Sequence, residues 1–258
     1  MIEAKNLTKT FGNKTALNNI TFSIGDATIF GLVGSNGAGK STFLRVLAGV
    51  YKADGGSITI DGEDVFENPK IKGQTLYISD YPYFFPQATI KTMISYYKSV
   101  YPNWDEEKFK KYHSAFPLDL KMKIEKMSKG MQRQAALILG LATKPKYILF
   151  DEIFDGLDPV IREILKKILV DYVTENGSTI IIASHNLREL EDLCDHVGLL
   201  HEGGVVLEAE LDEAKLGLTR LSAAFASDDE YQATKEKLNV IKERRTGKMI
   251  EWTVRNDA

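Results

Sequence analysis

Gly34-Ser35-Asn36-Gly37-Ala38-Gly39-Lys40-Ser41 fits the pattern G-x-x-x-x-G-K-[ST]. The short apolar run Ala27 to Val33 before it reads as a strand, and helix formers follow from Lys40 to Val50. The motif requires that setting, a loop between a strand and a helix. Its glycines let the backbone wrap with N–H groups pointing inward, and those donors together with the positive helix end suit phosphate oxygens. Lys40 is placed to reach the β- and γ-phosphates of a nucleotide, and the Ser41 hydroxyl to take a place on Mg²⁺. The plain alternative is a flexible glycine turn before an ordinary helix, and the flanking strand and helix speak against it.

Around this loop the chain alternates between strand and helix patterns. Ile20 to Ile24 alternates like a strand, and Ser57 to Ile60 with Asp61-Gly62 reads as a hairpin. From Thr89 to about Leu141 the pattern is mostly helical. Tyr147-Ile148-Leu149-Phe150 and Thr179-Ile180-Ile181-Ile182-Ala183 are bare apolar runs of the kind buried on both faces of a parallel sheet. Such alternation predicts an α/β fold with a mostly parallel sheet, joined by early antiparallel strands and a helical middle. After about Thr219 the style changes to a strand, a charged helix from Asp228 to Lys237 and a hairpin around Thr246-Gly247, a small α/β appendage.

With 258 residues, 43% hydrophobic and 27% charged, the chain has the make-up of an ordinary globular protein. Its 33 Lys and Arg against 36 Asp and Glu give a net charge of −3, so no global basic field recruits nucleic acid or anionic lipid. The one cysteine, Cys194, excludes an intrachain disulfide and a multi-cysteine zinc site. The longest stretch without a charged residue, Ala27 to Gly39, is broken by glycines and falls short of the roughly 20 residues that span a bilayer. No signal peptide is apparent at Met1, and the cytosol is the expected compartment.

Three further groups stand where chemistry would be expected. Asp151 and Glu152 end an apolar strand, and a carboxylate at that sheet edge faces the same crevice as the phosphate loop. Asp151 would then hold Mg²⁺, and Glu152, pointing elsewhere, would polarise an attacking water. Two solvated acids closing a strand are the alternative. His185 follows a second such strand and is placed to contact the γ-phosphate, whereas His113, His196 and His201 lack that context.

Taken in order, these motifs resemble the nucleotide-binding subunit of an ABC transporter, over roughly Met1 to Leu211. The resemblance implies a P-loop NTPase core with an antiparallel β subdomain, a helical subdomain at about 81–142 and ATP with Mg²⁺ as ligands. It places the ATPase domain at 1–218 and the appendage at 219–258. Ser35, Asn36, Gly37, Ala38, Gly39, Lys40, Ser41 and Thr42 would bind the phosphates, and Phe11 would stack under the adenine; core packing is the alternative for Phe11. Met127-Ser128-Lys129-Gly130-Met131-Gln132 stands where the family has its signature. Ser128 and Gly130 would then bind the γ-phosphate of ATP held by a second subunit, although a serine before a helix is also an ordinary N-cap. Gly156-Leu157-Asp158-Pro159 resembles the loop that passes between subunits, and Asp158 with Pro159 also reads as a helix start.

Two departures from the family pattern are visible. Lys129 and Met131 replace a glycine and a glutamine of the signature, a Lys-Gly-Met variant found among exporter-type relatives. Asp80 stands where the family usually has a glutamine, and is assigned that residue's contact with metal or water. Aromatic residues crowd the stretch from Tyr81 to Phe116, either as the core of the helical subdomain or as the groove that receives a helix of the membrane subunit.

The resemblance implies an ATP hydrolase powering a membrane transporter of exporter type, acting on a peptide, drug or lipid. Its partners would be a separate transmembrane permease and a second ATPase subunit, identical or different, with no nucleic acid, at the cytoplasmic face of the membrane. A soluble ABC-type ATPase acting in translation or on DNA is the first alternative. Against it stand the single cassette, the lack of a sustained heptad insertion between Lys40 and Asp151, and the acidic balance. A weakly hydrolysing regulatory subunit is the second.

Overall fold

The two barest apolar runs lie side by side in the middle of a six-stranded sheet. β7 (Tyr147–Asp151) and β8 (Thr179–Ser184) are buried at every residue, as the absence of alternating polar positions requires. The computed structural model describes residues 1–210, 218–223, 228–235, 238, 240–246 and 249–255. They divide into two compact units, Met1–Glu208 and Ala209–Ala258.

The first unit opens with β1 (Ile2–Phe11), β2 (Lys14–Ile24) and β3 (Ile29–Val33). After the phosphate loop come α1 (Lys40–Leu47), β4 (Gly55–Ile60), β5 (Glu63–Asp64), α2 (Pro69–Gln74) and β6 (Thr75–Ile78). The helical stretch holds α3 (Ile90–Val100), α4 (Glu106–Ala115) and α5 (Lys129–Leu141). β7, α6 (Pro159–Asn176), β8, β9 (His196–His201) and β10 (Gly204–Glu210) follow. β2-β1-β4-β5 form an antiparallel sheet, and the larger sheet runs β10-β9-β3-β8-β7-β6. In it β3, β9, β8, β7 and β6 pair in parallel, the arrangement expected from the alternation of strand and helix.

Local chemistry explains where elements start and stop. Asp61 (φ 53) and Gly62 (φ 78) are both left-handed, as a two-residue hairpin turn requires, and join β4 to β5. The Asp158 carboxylate accepts from the N–H groups of Val160 and Ile161, both at 3.0 Å, with Pro159 at the first helical position of α6. Ser128 caps α5 by accepting from the Met131 N–H at 3.2 Å. Between the sheets α1 buries Phe43, Leu44, Val46 and Leu47 in a core shared with Ile20, Ile60, Leu149 and Ile181.

The aromatic stretch divides between two jobs. Phe109, Tyr112 and Phe116 are buried and build the core of the helical layer, whereas Tyr81, Tyr83, Phe85 and Tyr96 are exposed.

The second unit contains β11 (Leu218–Ala223), α7 (Asp228–Lys235), β12 (Val240–Thr246) and β13 (Met249–Arg255), with the strands in the antiparallel order β11-β13-β12. Tyr231, Ile250 and Trp252 are its buried core. Beside them the Glu243 carboxylate accepts from Lys235 (2.8 Å), the Tyr231 hydroxyl (2.7 Å) and Trp252 Nε1 (3.0 Å), which lowers its pKa to about 2. The expected end of the charged helix beyond Lys235 and the turn at Gly247 lie outside the described residues.

Leu149 sits fully buried in β7 between two parallel neighbours. Truncation to alanine leaves a cavity that the sheet cannot close. Leu149→Ala is expected to cost about 2–5 kcal/mol of stability, read as a lower urea midpoint in far-ultraviolet circular dichroism.

Candidate functional site

β3 carries the chain out of the core into the phosphate loop. The turn depends on glycine at Gly39, whose φ is 108 and where a Cβ would lie 2.5 Å from the Ala16 carbonyl oxygen. Lys40 opens α1 directly behind it. It is 5% exposed, and its ammonium donates to the carbonyls of Gly34 (2.7 Å) and Ser35 (3.3 Å). The charge is thus held along its own loop.

Beside the loop, β7 ends at Asp151. The Ser41 hydroxyl donates to Asp151 Oδ1 at 2.9 Å. Asp151 is 2% exposed, and burial raises its pKa, while the Ser41 hydrogen bond and the charge of Arg45 lower it. A hydroxyl and a buried carboxylate are hard oxygen donors, and a cation between them would relieve the desolvation of Asp151, so the pair fits Mg²⁺.

Glu152 turns out of the strand in a left-handed conformation, φ 53, which is uncommon for a residue with a side chain. Its backbone N–H donates to the Ala183 carbonyl at 2.9 Å. The turn sends its carboxylate away from Asp151. Oε1 lies 3.4 Å from Lys40 Nζ, and Oε2 lies 2.9 Å from His185 Nδ1 and 3.3 Å from the His185 N–H. The hydrogen bond and charge of Glu152 raise the pKa of His185, partly opposed by desolvation and by Lys40.

A cavity of about 480 Å³ brings Phe11, Asn36, Gly37, Gly39, Lys40, Ser41, Thr42, Asp80, Asp151, Glu152 and His185 together. Phe11 is 45% exposed at its rim, edge-on to Tyr51 at 5.3 Å, so it is not a core residue. Lys14, Ala16 and Asp155 also line the cavity, and sequence reasoning missed them. Lys14 pairs with Phe11 across the turn at Gly12-Asn13, and that Gly-Asn pair was the available signal. Asp155 lies with Glu152 and His185, their ligand atoms within 4.8 Å of one another.

Ser35 and Ala38 do not line the cavity. Ser35 is exposed and Ala38 is buried, and the Ala38 N–H donates to the Ser35 carbonyl at 3.1 Å, closing a turn within the loop. Asp80 reaches the cavity, but its carboxylate is ion-paired with Arg133 of α5, a partner that the sequence reading did not identify. Ser128, Gly130 and Asp158 form a second group away from the cavity lining. There the start of α5 packs on the turn before α6: a Cβ at Gly130 would lie 3.1 Å from the Gly156 carbonyl oxygen. Among the described residues no helix is long and apolar enough to cross a membrane.

Comparison with known proteins agrees with this geometry. Residues 17–155 match the family model described as ABC transporter. The chain is 32% identical to the ABC transporter ATP-binding protein YtrB of Bacillus subtilis, across 88% of this chain and 78% of that protein. It is 30% identical to the lantibiotic transport ATP-binding protein SrtF of Streptococcus pyogenes, across 82% and 92%. Among solved structures, an ATP-binding subunit of an ABC transporter superposes with a TM-score of 0.76 at 26% identity, across 83% and 92%. With a phosphate loop, two strand-end carboxylates and a histidine around one cavity, the chain belongs to the ABC transporter family as an ATP-binding, ATP-hydrolysing subunit.

Proposed function

We propose that this subunit powers an exporter for an amphipathic peptide, drug or lipid. ATP would close two ATPase subunits on each other, and hydrolysis would release them. The observation that carries this reading is the placement of the Glu152 carboxylate between Lys40 and His185, beside Ser41 and Asp151.

Each side chain then has a distinct task. The loop amides and Lys40 bind the β- and γ-phosphates. Ser41 and Asp151 hold Mg²⁺, which when bound offsets charge on the phosphates. Glu152 accepts a proton from the attacking water or polarises it. His185 is oriented through Nδ1 by Glu152, which directs Nε2 to the γ-phosphate. Phe11 stacks under the adenine, a contact worth about 1–3 kcal/mol where aromatics stack on bases.

Ser128, Gly130 and Asp158 have no part in this cavity, which supports their use across an interface. There Ser128 and the Gly130 amide, at the positive end of α5, would meet the γ-phosphate held by a second subunit, identical or different. The exposed Tyr83 and the half-buried Phe84, with Leu76, Pro82, Tyr97 and Ala136, line a groove of about 260 Å³, suited to a helix of a separate transmembrane permease. That partner would hold the subunit at the cytoplasmic face of the membrane. The export direction rests on the Lys-Gly-Met signature, and the lantibiotic transport relative supports a peptide among the substrates.

Two measurements test this reading. Glu152→Gln should lower kcat by about 10²–10⁴-fold and preserve ATP binding. On gel filtration with light scattering it should be a dimer with Mg-ATP and a monomer without it. Ser128→Arg in that background should abolish the dimer, and an ATP-bound monomer at every concentration would refute self-association. The second measurement is the imidazole titration of His185 by ¹⁵N NMR. Its pKa should exceed the ordinary histidine value and fall towards it in Glu152→Gln. Because the folded value is raised, this pair stabilises the fold below the ordinary histidine pKa, and the contribution is lost as pH rises through the raised one.

A further inference from the structure

Arg133 lies in the second turn of α5, and among the buried residues it is one of the few that carry a charge: it is 5% exposed. Its guanidinium donates from Nε (3.3 Å) and Nη2 (3.2 Å) to the Asp80 carbonyl, and it pairs with the Asp80 carboxylate. Its other edge faces the turn before α6, where a Cβ at Gly156 would lie 3.7 Å from Nη1. One turn earlier on the same helix face, Lys129 sets its ammonium 4.7 Å from the centre of the Tyr81 ring and 3.3 Å from the Tyr81 hydroxyl. Two cations four residues apart therefore grip the consecutive residues Asp80 and Tyr81.

The grip joins places that are otherwise separate. Asp80 lines the cavity that holds Lys40 and Asp151, whereas Ser128, the cap of α5, and Gly130 in its first turn do not. A buried guanidinium is costly to strip of its partners, so Asp80 and α5 move together rather than apart. The Asp80 carboxylate, expected to meet metal or water, is ion-paired with the Arg133 guanidinium.

We propose that Arg133 is a positioning residue that couples nucleotide in this chain's own cavity to the orientation of Ser128 and Gly130. The guanidinium holds Asp80 at one end and backs the Gly156 turn at the other, so a shift of the cavity edge is delivered to the first turn of α5. The proposal rests on ATP occupying the cavity, as inferred above, but needs no second subunit.

Amide hydrogen exchange on the intact chain tests it, with Mg²⁺ and an ATP analogue whose β–γ bridge cannot be hydrolysed. The protein is kept dilute enough that light scattering reads a monomer, so no partner can protect α5. In the unaltered chain, nucleotide should slow exchange at 35–42 and at 128–132. In Arg133→Gln the effect at 35–42 should persist, with analogue affinity within about twofold. The effect at 128–132 should shrink by about tenfold, the size of a typical coupling between sites. Arg133→Lys should restore part of it and guard against a folding defect in the glutamine variant. Asp80→Asn should reproduce the loss, and the double variant should be no worse than either single one.

An undiminished response at 128–132 in Arg133→Gln overturns the proposal, as does a silent Asp80→Asn. A parallel loss at both segments overturns it too, because Arg133 would then only support the cavity. If nucleotide fails to slow exchange at 35–42 in the unaltered chain, the ATP assignment itself falls and the coupling falls with it.

Discussion

The site depends on the register of three buried parallel strands. Gly31 of β3, Ile182 of β8 and Phe150 of β7 lie at one level, so Val33, Ser184 and Asp151 end their strands at nearly the same height. A slip of one residue in β7 would turn Asp151 to the opposite face and carry Glu152 with it. Burial on both faces makes such a slip expensive, because every side chain of β7 and β8 is packed. The precision of the chemistry is therefore bought by residues that have none: isoleucines, leucines and a phenylalanine.

On that platform the charges divide into two compartments a few ångströms apart. Lys40, almost fully buried, would be costly without an anion, and Glu152 at 3.4 Å supplies one. Asp151 accepts a hydrogen bond from the Ser41 hydroxyl and is pushed towards its neutral form by burial. The first compartment is matched internally, and the second gains from an added cation. The left-handed backbone at Glu152 separates them: two adjacent acids in a regular strand end would compete for the same partners, whereas a reversed turn sends one to Ser41 and the other to Lys40 and His185. Strain of this kind costs of order 1–3 kcal/mol and persists only where the surroundings hold it, here through the Glu152 N–H bond to Ala183.

What could be read from the sequence was what local chemistry encodes. The glycine loop and its lysine, the bare strands at Tyr147 and Thr179, and the Asp158-Pro159 helix start each carry their signal within a few residues. β1 did not: a bulge between Ala4 and Leu7, with Asn6 at φ 50, breaks the alternation that would have announced it. The state of Asp80 was hidden for a different reason. Its environment is set by Arg133, which is distant in sequence and placed by the packing of α5, and a motif position says nothing about who arrives opposite it. Lys14 and Asp155 were missed on the same ground, since a cavity gathers residues from elements with no common pattern. The Glu152 turn was visible only as a vague difference in direction between two neighbouring acids.

The helix α5 shows how one sequence segment can satisfy a local rule and a long-range one together. Ser128 as N-cap satisfies the amide of Met131, so the hydroxyl is accounted for without any nucleotide. That does not exhaust the helix end: capping by one side chain leaves other amides of the first turn, including that of Gly130, at the positive end of the dipole. Gly130 packs closely on the Gly156 carbonyl, where a Cβ would come within 3.1 Å of the oxygen and the turn would have to give way. Lys129, drawn to Tyr81, does not crowd that end with a second partner for phosphate. The two substitutions that set this helix apart from the usual signature thus have unequal weight. Lys129 has a structural place on the Asp80–Tyr81 loop, whereas nothing in the structure explains Met131.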